Sequence, residues 1–164
     1  MDCHTMLVRL LSGAINVPLD EYQQLNSLHA TYHKQWWCRL QMFYYFKRYH
    51  TILNVLTLLV LAASLVVGTV WKDSYAVVAL TATATFIKGW SDFKKYSLKM
   101  DMCRFAYTTY EKTLIELKNF ARGETYDMTL FLIKMQTLDD IITDFTPPIL
   151  ERVTRLYSIK FTRQ

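Results

Sequence analysis

A long uncharged segment is the feature that most limits how this chain can fold. From Thr51 to Trp71 no residue carries a charge, and most side chains are Leu, Val, Ile or Ala. As an α-helix the segment would be about 30 Å long, close to the hydrocarbon thickness of a bilayer. The core helix of a soluble protein is the alternative, but such a helix usually presents a polar face, and none is formed here even with Asn54. The segment therefore predicts a membrane-spanning helix.

A second uncharged run follows directly after Lys72 and Asp73. It extends over residues 74 to 87 and is rich in Ala and Thr. Alone it is too short to cross a bilayer, so it needs Lys88 as a snorkelling side chain and Trp90 as an interfacial anchor. We predict that it inserts as the second arm of a hairpin. A re-entrant or soluble second helix is the alternative.

Small residues indicate how the two arms would pack. A turn centred on Lys72 and Asp73 would place Gly68 opposite Ala76, and Ser64 opposite Thr81. Transmembrane helices approach each other closely at such small side chains. The predicted packing positions are Ser64, Gly68, Ala76, Ala79 and Thr83.

Charged and aromatic residues predict the orientation of the hairpin. Lys and Arg crowd the outer ends of both uncharged runs, whereas the connecting turn offers only Lys72, offset by Asp73. The positive-inside rule then places both termini in the cytoplasm, or on the equivalent inner side. This placement accounts for the net charge of +5 without nucleic-acid binding. The predicted interface anchors are Tyr45, Tyr49, Trp71, Lys88 and Trp90.

The remaining residues favour long helices, because the chain has only four Gly and three Pro. Asp20 is a predicted N-cap, and Gly89 is the one interruption expected between the turn and Gly123. The fold class is therefore predicted as an all-α membrane protein, in which a two-transmembrane hairpin continues into a cytoplasmic helical bundle. The predicted segments are a short amphipathic helix (1–19), a juxtamembrane helix (20–50), the hairpin (51–90) and the bundle (91–164).

An alternating spacing of three and four residues predicts the packing faces of the bundle. The first such seam is Phe93, Tyr96, Met100, Cys103, Tyr107, Tyr110, Leu114 and Leu117. A second run, expected to fold back after Gly123, is Met128, Phe131, Met135, Leu138, Ile142 and Phe145. A last helix is predicted with Thr146 as N-cap and Pro147 as its first residue, with Leu150, Val153 and Tyr157 facing inward.

Candidate chemical sites are few. His29 and His33 have the spacing of two metal ligands on one helix face, but no third ligand is evident. Asp139, Asp140 and Asp144 are interpreted as a solvated face, and Cys103 as a packing residue. Three cysteines far apart in sequence predict a reducing compartment and no disulfide framework. We therefore expect no enzymatic activity, cofactor, metal, small-molecule substrate or nucleic-acid partner.

The order of these parts resembles a known family. A basic, aromatic helix from His29 to His50 precedes the first span, and Phe93-Lys94-Lys95-Tyr96 and Phe105-Ala106-Tyr107 follow the second. A later helix ends before Pro147-Pro148. Over about residues 25 to 150 this arrangement is similar to the SLATT family of two-transmembrane proteins. The resemblance implies an oligomeric, pore-forming membrane effector of the kind associated with nucleotide-sensing defence systems in prokaryotes, and it supplies no catalytic residue.

Two functions are therefore open. The first is a structural anchor or scaffold, whose partners are the lipid bilayer and proteins, or further copies, that contact the bundle. A membrane-associated minor capsid protein of a large DNA virus would be an example. The second is the pore-forming effector. The first span has no continuous polar line, which favours the anchor.

Overall fold

The computed structural model describes residues 19–71, 74–120 and 128–161, and these residues are helical with short connections. This confirms the predicted all-α class for the described part of the chain. The helices are α1 (Leu19–Val66), which continues as a π-helical turn (Val67–Trp71), α2 (Ser74–Phe93), α3 (Tyr96–Phe120), α4 (Met128–Phe145) and α5 (Glu151–Phe161). The predicted helix within 1–19 and the predicted turns at Lys72-Asp73 and Gly123 lie outside the described residues, apart from Leu19 itself.

The described residues form two compact units. The bundle unit comprises the residues up to Leu40 and those from Cys103 onward, and the hairpin unit comprises Gln41–Met102. In the bundle unit, apolar residues of α1, α3 and α4 recur every three or four positions and so share one face of each helix. The buried core consists of Leu25, Tyr32, Ala106, Tyr110, Leu117, Met135 and Ile142.

The predicted seam is only partly the packing face of its helix. Cys103, Tyr110 and Leu117 are buried, and Tyr96, Met100, Tyr107 and Leu114 are half-buried. Phe93 is 74% exposed and ends α2, so its inclusion in the seam was wrong. Ala106 and Thr113 are buried at the alternating positions instead, which the pattern missed because their side chains are small or polar.

The second run shows a similar outcome in α4. Met135 and Ile142 are buried, and Leu138 packs against the same core. Phe145 is 67% exposed, so its prediction as an inward residue was wrong. It stands at the last position of α4, between the buried residues Ile142 and Thr146 in sequence but on a different side of the helix. The side chains of Met128 and Phe131 lie outside the described residues.

A break at Lys94 and Lys95 separates α2 from α3, whereas the sequence predicted an interruption at Gly89. Gly89 lies inside α2, and a Cβ added to it would have no neighbouring atom within 4 Å. Lys95 has a φ of 52°, the left-handed conformation that commonly ends a helix. Glycine or asparagine usually occupies this position, so a lysine there gave no sequence signal.

The last helix begins at Glu151 and not at Pro147. Thr146 belongs to the end of α4, because both its N–H and its hydroxyl donate to the carbonyl oxygen of Ile142. Pro148 disfavours a helical conformation at the residue before it, so α5 cannot start at Pro147. Leu150 accepts the first-turn hydrogen bonds of α5 and is 40% exposed. Val153 is buried and Tyr157 half-buried, as predicted.

Adjacent isoleucines of α4 test the core of the bundle unit. Ile142 is fully buried and Ile141 is 46% exposed. Ile142→Ala should lower the free energy of unfolding by about 2–5 kcal/mol, because a cavity replaces the lost side chain. Ile141→Ala should change it by less than about 0.5 kcal/mol. Thermal unfolding of both purified variants measures the difference, and equal midpoints would contradict the described core.

Candidate membrane hairpin

One helix of the described chain is long and apolar enough, by length and composition, to cross a membrane. It extends over Gln23–Trp71, and only 6% of its most apolar stretch is buried. The apolar core helix of a soluble protein would be mostly buried, whereas an exposed patch of this kind marks contact with lipid or protein. α2 does not meet the same criterion of length and composition. The exposed side chains include Ile52, Val55, Leu56, Leu58, Leu59, Leu65, Val66 and Val70.

Polar contacts join α1 to α2 within the hairpin unit. The hydroxyl oxygens of Ser64 and Thr81 are 3.2 Å apart, and Ser64 Oγ lies 3.4 Å from the carbonyl oxygen of Val77. Thr81 already donates to the Val77 carbonyl at 2.8 Å, so Ser64 is the donor in the contact between hydroxyls. The structure therefore brings Ser64 and Thr81 together in the register that the sequence predicted.

Gly68 is the second point of close approach between the arms. A Cβ at this position would lie 3.2 Å from Cγ2 of Val77, which is tighter than an ordinary van der Waals contact. Gly68 belongs to the π-helical turn at the end of α1. The missing side chain therefore leaves the space that Val77 occupies.

The packing face of α2 differs from the predicted stripe of small residues. Ala84 and Ser91 are buried, and Ala76, Val77, Leu80 and Ile87 are half-buried. Ala79 and Thr83 are exposed, so their prediction as packing positions within the hairpin was wrong. The helical repeat explains the error, because positions 79 and 83 lie on a different face from 77, 80, 84, 87 and 91. That alternating spacing was present in the sequence and could have identified the correct face.

Threonine hydroxyls in the two uncharged runs bond to their own helices. Thr57, Thr69 and Thr83 each donate to the carbonyl oxygen four residues earlier, at 2.8–2.9 Å. Thr81 and Thr85 do the same. A hydroxyl that is bonded in this way needs no water partner. These five side chains are therefore compatible with an apolar environment.

Aromatic and basic residues lie at the ends of the apolar segment. Tyr45 and Tyr49 are 38% and 42% exposed, and their ring centroids are 4.7 Å apart. Trp71, at the other end of the same helix, is 76% exposed. Tyr49 and Trp71 are separated by about 33 Å along the helix, which is close to the hydrocarbon thickness of a bilayer.

Two basic side chains accompany Trp90, which is 47% exposed near the end of α2. Lys94 Nζ lies 4.9 Å from the centroid of the Trp90 ring, in a cation–π contact. Lys88 Nζ lies 3.5 Å from a carboxylate oxygen of Asp92. Both lysines are long enough to place their charges away from apolar surroundings.

The bundle unit contains buried polar contacts that the sequence did not predict. Tyr110 donates a hydrogen bond to Asp139, and burial followed by this bond raises the pKa of Tyr110 well above its usual range. Asp139 is therefore half-buried and paired, and its prediction as a solvated residue was wrong, whereas Asp140 and Asp144 are exposed. Arg39 is 4% exposed and donates to the carbonyl oxygen of Pro147.

The cysteines of the bundle unit are buried thiols. Cys38 and Cys103 are both free and buried. Burial raises the pKa of Cys38, and it raises the pKa of Cys103 to about 11. Since the thiolate is the reactive form, both side chains should react slowly with thiol reagents. This agrees with the interpretation of Cys103 as a packing residue.

His29 and His33 form an aromatic cluster with α5. Their rings are stacked with centroids 6.2 Å apart, and His33 Nδ1 lies 3.4 Å from the hydroxyl of Tyr157. The His33 ring also meets the edge of Phe161 at 5.4 Å. Among the described residues, no group of three His, Cys, Asp or Glu side chains has an arrangement that could hold a metal ion. The geometry of the two histidines is therefore that of helix packing.

The same cluster predicts how stability depends on pH. Burial lowers the pKa of His29 and His33 from 6.5, and Lys118 lowers both further; His33 also lowers that of His29. As the pH falls below about 6.5, the unfolded chain takes up protons before the folded chain does, so folding is destabilised. The melting temperature should therefore decrease from pH 7.5 to pH 5. The double variant His29→Gln/His33→Gln should show a flatter profile, and an unchanged slope would contradict this assignment.

Two glycines provide a matched test of the hairpin contact. Gly68→Leu should separate the arms and lower the melting temperature in detergent, because its Cβ would already crowd Val77. Gly89→Leu should be tolerated, since nothing lies within 4 Å of a Cβ there. Thermal unfolding of both variants decides the matter. Equal midpoints would mean that Gly68 does not limit the approach of α2.

The functional candidate is thus an exposed apolar helix pair with polar contacts inside and aromatic residues at its ends. Ala84 and Ser91 are buried packing residues of α2 that the sequence analysis did not predict. Comparisons with protein-family models, with curated proteins and with solved structures find no match.

Proposed function

We propose that this chain is a non-enzymatic membrane anchor. In this proposal the hairpin unit crosses a bilayer twice, and the bundle unit binds proteins, or further copies of the chain, on the inner side. The carrying observation is the exposed apolar surface of α1, which has no charged residue between Thr51 and Trp71. Exposure of so continuous an apolar surface to water is unfavourable, whereas its contact with lipid is favourable.

Three observations support α2 as the second span, although its composition is less apolar. The Ser64–Thr81 contact fixes it against α1, so it need not insert alone. Its threonine hydroxyls are satisfied by its own backbone, which reduces the cost of moving them into hydrocarbon. Lys88 is half-exposed near its end and can extend toward the headgroups.

The charges support the proposed orientation. Lys47 and Arg48 precede the first span, and Lys94 and Lys95 follow the second. Lys47, Arg48 and Lys95 are exposed, so they are available to anionic headgroups. The turn between the spans has one basic and one acidic residue. By the positive-inside rule both ends of the hairpin lie on the inner side.

The bundle unit offers apolar side chains for protein contacts. Ile133, Ile141 and Phe145 of α4 are 60%, 46% and 67% exposed, and their spacing places them on one face of the helix. Scattered exposed apolar residues are ordinary, but several of them on one side of a helix suit an interface. An anchor with such a surface would hold a partner protein against the membrane.

Cysteine labelling tests the topology. In a Cys3→Ser background, the buried thiols of Cys38 and Cys103 should contribute little reaction. A membrane-impermeant maleimide added to intact cells or oriented vesicles should label Asp73→Cys from outside. Gln164→Cys should be labelled only after permeabilisation. Labelling of both positions from the same side would overturn the two-pass arrangement.

Leakage from liposomes separates an anchor from a pore. Threonine hydroxyls of the spans bond to their own helices, and the two runs carry no charged residue that would line a water-filled path. Full-length protein reconstituted into dye-loaded liposomes should therefore release no dye at protein densities where oligomers are present. Dye release that rises with the oligomer fraction would contradict the anchoring function. It would support the pore-forming effector that the SLATT resemblance implies. A Gly68→Leu sample serves as a control for nonspecific leakage from a distorted hairpin.

A further inference from the structure

A cleft with several polar side chains in its lining lies in the hairpin unit, where α2 gives way to α3. Its volume is about 320 Å³, which is at the lower end of the range for small-ligand sites. The polar residues that line it are His50, Ser91, Asp92, Lys95, Ser97 and Asp101. Of these residues, only Ser91 belongs to the packing face of α2 described above.

His50 lines the cleft, and its side chain contains a buried donor. Asn54 Nδ2 lies 3.1 Å from His50 Nε2, and the amide nitrogen can only donate, so Nε2 is the acceptor. A neutral imidazole then carries its proton on Nδ1. That Nδ1 is buried and has no hydrogen-bond partner among the described residues. A buried unpaired N–H costs free energy in the protein without a ligand.

Ser91 is a second polar side chain without a partner at the cleft. The residue is 3% exposed, and its hydroxyl makes no hydrogen bond to the described part of the chain. The hydroxyls of Thr81, Thr83 and Thr85 in the same helix bond to their own backbone, so Ser91 differs from them. A hydroxyl that lines a cleft and makes no hydrogen bond within the protein can donate to a ligand oxygen.

The charged residues of the cleft carry both signs. Lys95 directly precedes the first turn of α3. The N–H groups of that turn have no partners within the helix. They therefore favour an anion near Ser97. Asp92 and Asp101 are exposed carboxylates that favour a cation, although Asp92 also lies 3.5 Å from Lys88. A pure anion would be repelled by the carboxylates, and a pure cation by Lys95. A zwitterion with a phosphate and an ammonium group satisfies both sets.

The position of the cleft indicates where such a zwitterion would come from. His50 directly precedes the uncharged segment that begins at Thr51. The ring of Tyr49 stacks on that of Tyr96 beside the cleft, with centroids 5.9 Å apart. Aromatic residues of this kind lie at the headgroup level when a helix spans a bilayer. The cleft would then face the polar layer of the membrane.

We propose that this cleft binds the phosphoethanolamine headgroup of a membrane phospholipid. The inference rests on the proposed membrane insertion of the hairpin. The phosphate oxygens accept from Ser91 and Lys95, and the primary ammonium donates to Asp92 and Asp101. A choline headgroup fits less well, because its quaternary ammonium cannot donate hydrogen bonds and is usually held in a cage of several aromatic rings.

Titration calorimetry on the full chain in detergent tests this proposal. Short-chain phosphatidylethanolamine should bind at one site, at least about tenfold more tightly than phosphatidylcholine of the same chain length, because charge-assisted hydrogen bonds are lost with choline. Equal affinities for the two lipids would overturn the proposal.

Matched variants locate the site. Asp101→Asn should weaken phosphatidylethanolamine binding by about tenfold, and Lys95→Asn should do the same while keeping a residue that tolerates a positive φ. Asp140→Asn and Lys112→Asn remove exposed charges of the bundle unit and should leave the affinity unchanged. All four positions are exposed, so circular dichroism should show intact folding. Loss of affinity in the control variants, or none in the cleft variants, would contradict the assignment.

Soluble ligands distinguish the source of the headgroup. Glycerophosphoethanolamine has the same polar group without acyl chains and should bind more weakly than the lipid. Inorganic phosphate should not compete. If glycerophosphoethanolamine binds as tightly as the lipid, the cleft binds a soluble ligand. If inorganic phosphate alone competes, the cleft is only an anion site. Either result overturns the proposal. The binding assay needs no bilayer, so its outcome is independent of the topology labelling.

Discussion

The apolar surface of α1 is buried in the first part of the helix and exposed in the second. Between Leu25 and Phe46, α1 packs against other helices, and at Trp37, Cys38 and Arg39 three consecutive residues are buried. Beyond Thr51 the helix is apolar around its whole circumference, so no single packing partner can cover it. The change occurs where His50 and Asn54 pair with each other. This change separates the part of α1 that packs into a folded core from the part whose apolar surface is exposed.

Buried polar groups then determine which helix pairs are specific. Apolar contacts tolerate sliding, whereas a buried hydrogen bond is satisfied in one register only. Tyr110 and Asp139 fix α3 against α4, and Arg39 fixes α1 against the segment after α4 through the carbonyl of Pro147. In the hairpin unit Ser64 and Thr81 have the same effect. Removing one partner from such a pair leaves the other desolvated, which costs more than the bond itself contributes.

Sequence reasoning predicted those features that depend on local pattern. The helical class, the apolar segment of α1 and the opposition of Ser64 to Thr81 follow from periodicity and from counting residues around a turn. It could not predict the break at Lys95, because the left-handed conformation there is imposed on a residue that does not favour it. It also missed Asp139, since a carboxylate on a polar face gives no sign of a buried tyrosine opposite. The spacing of positions 77, 80, 84, 87 and 91 indicates the packing face of α2. The small residues at Ala79 and Thr83 formed the more obvious pattern in the sequence.

The self-bonded threonines of the hairpin have an evolutionary consequence. When a hydroxyl donates to the carbonyl of its own helix, a threonine presents little more polarity to its surroundings than an alanine. Exchange among Ala, Ser and Thr at exposed positions such as 79 and 83 should then be close to neutral, so these positions can drift freely. Selection would act mainly where space is limited, at Gly68 and Ala84. Two hairpins of common descent could therefore keep the same shape long after most of their identical residues have been lost.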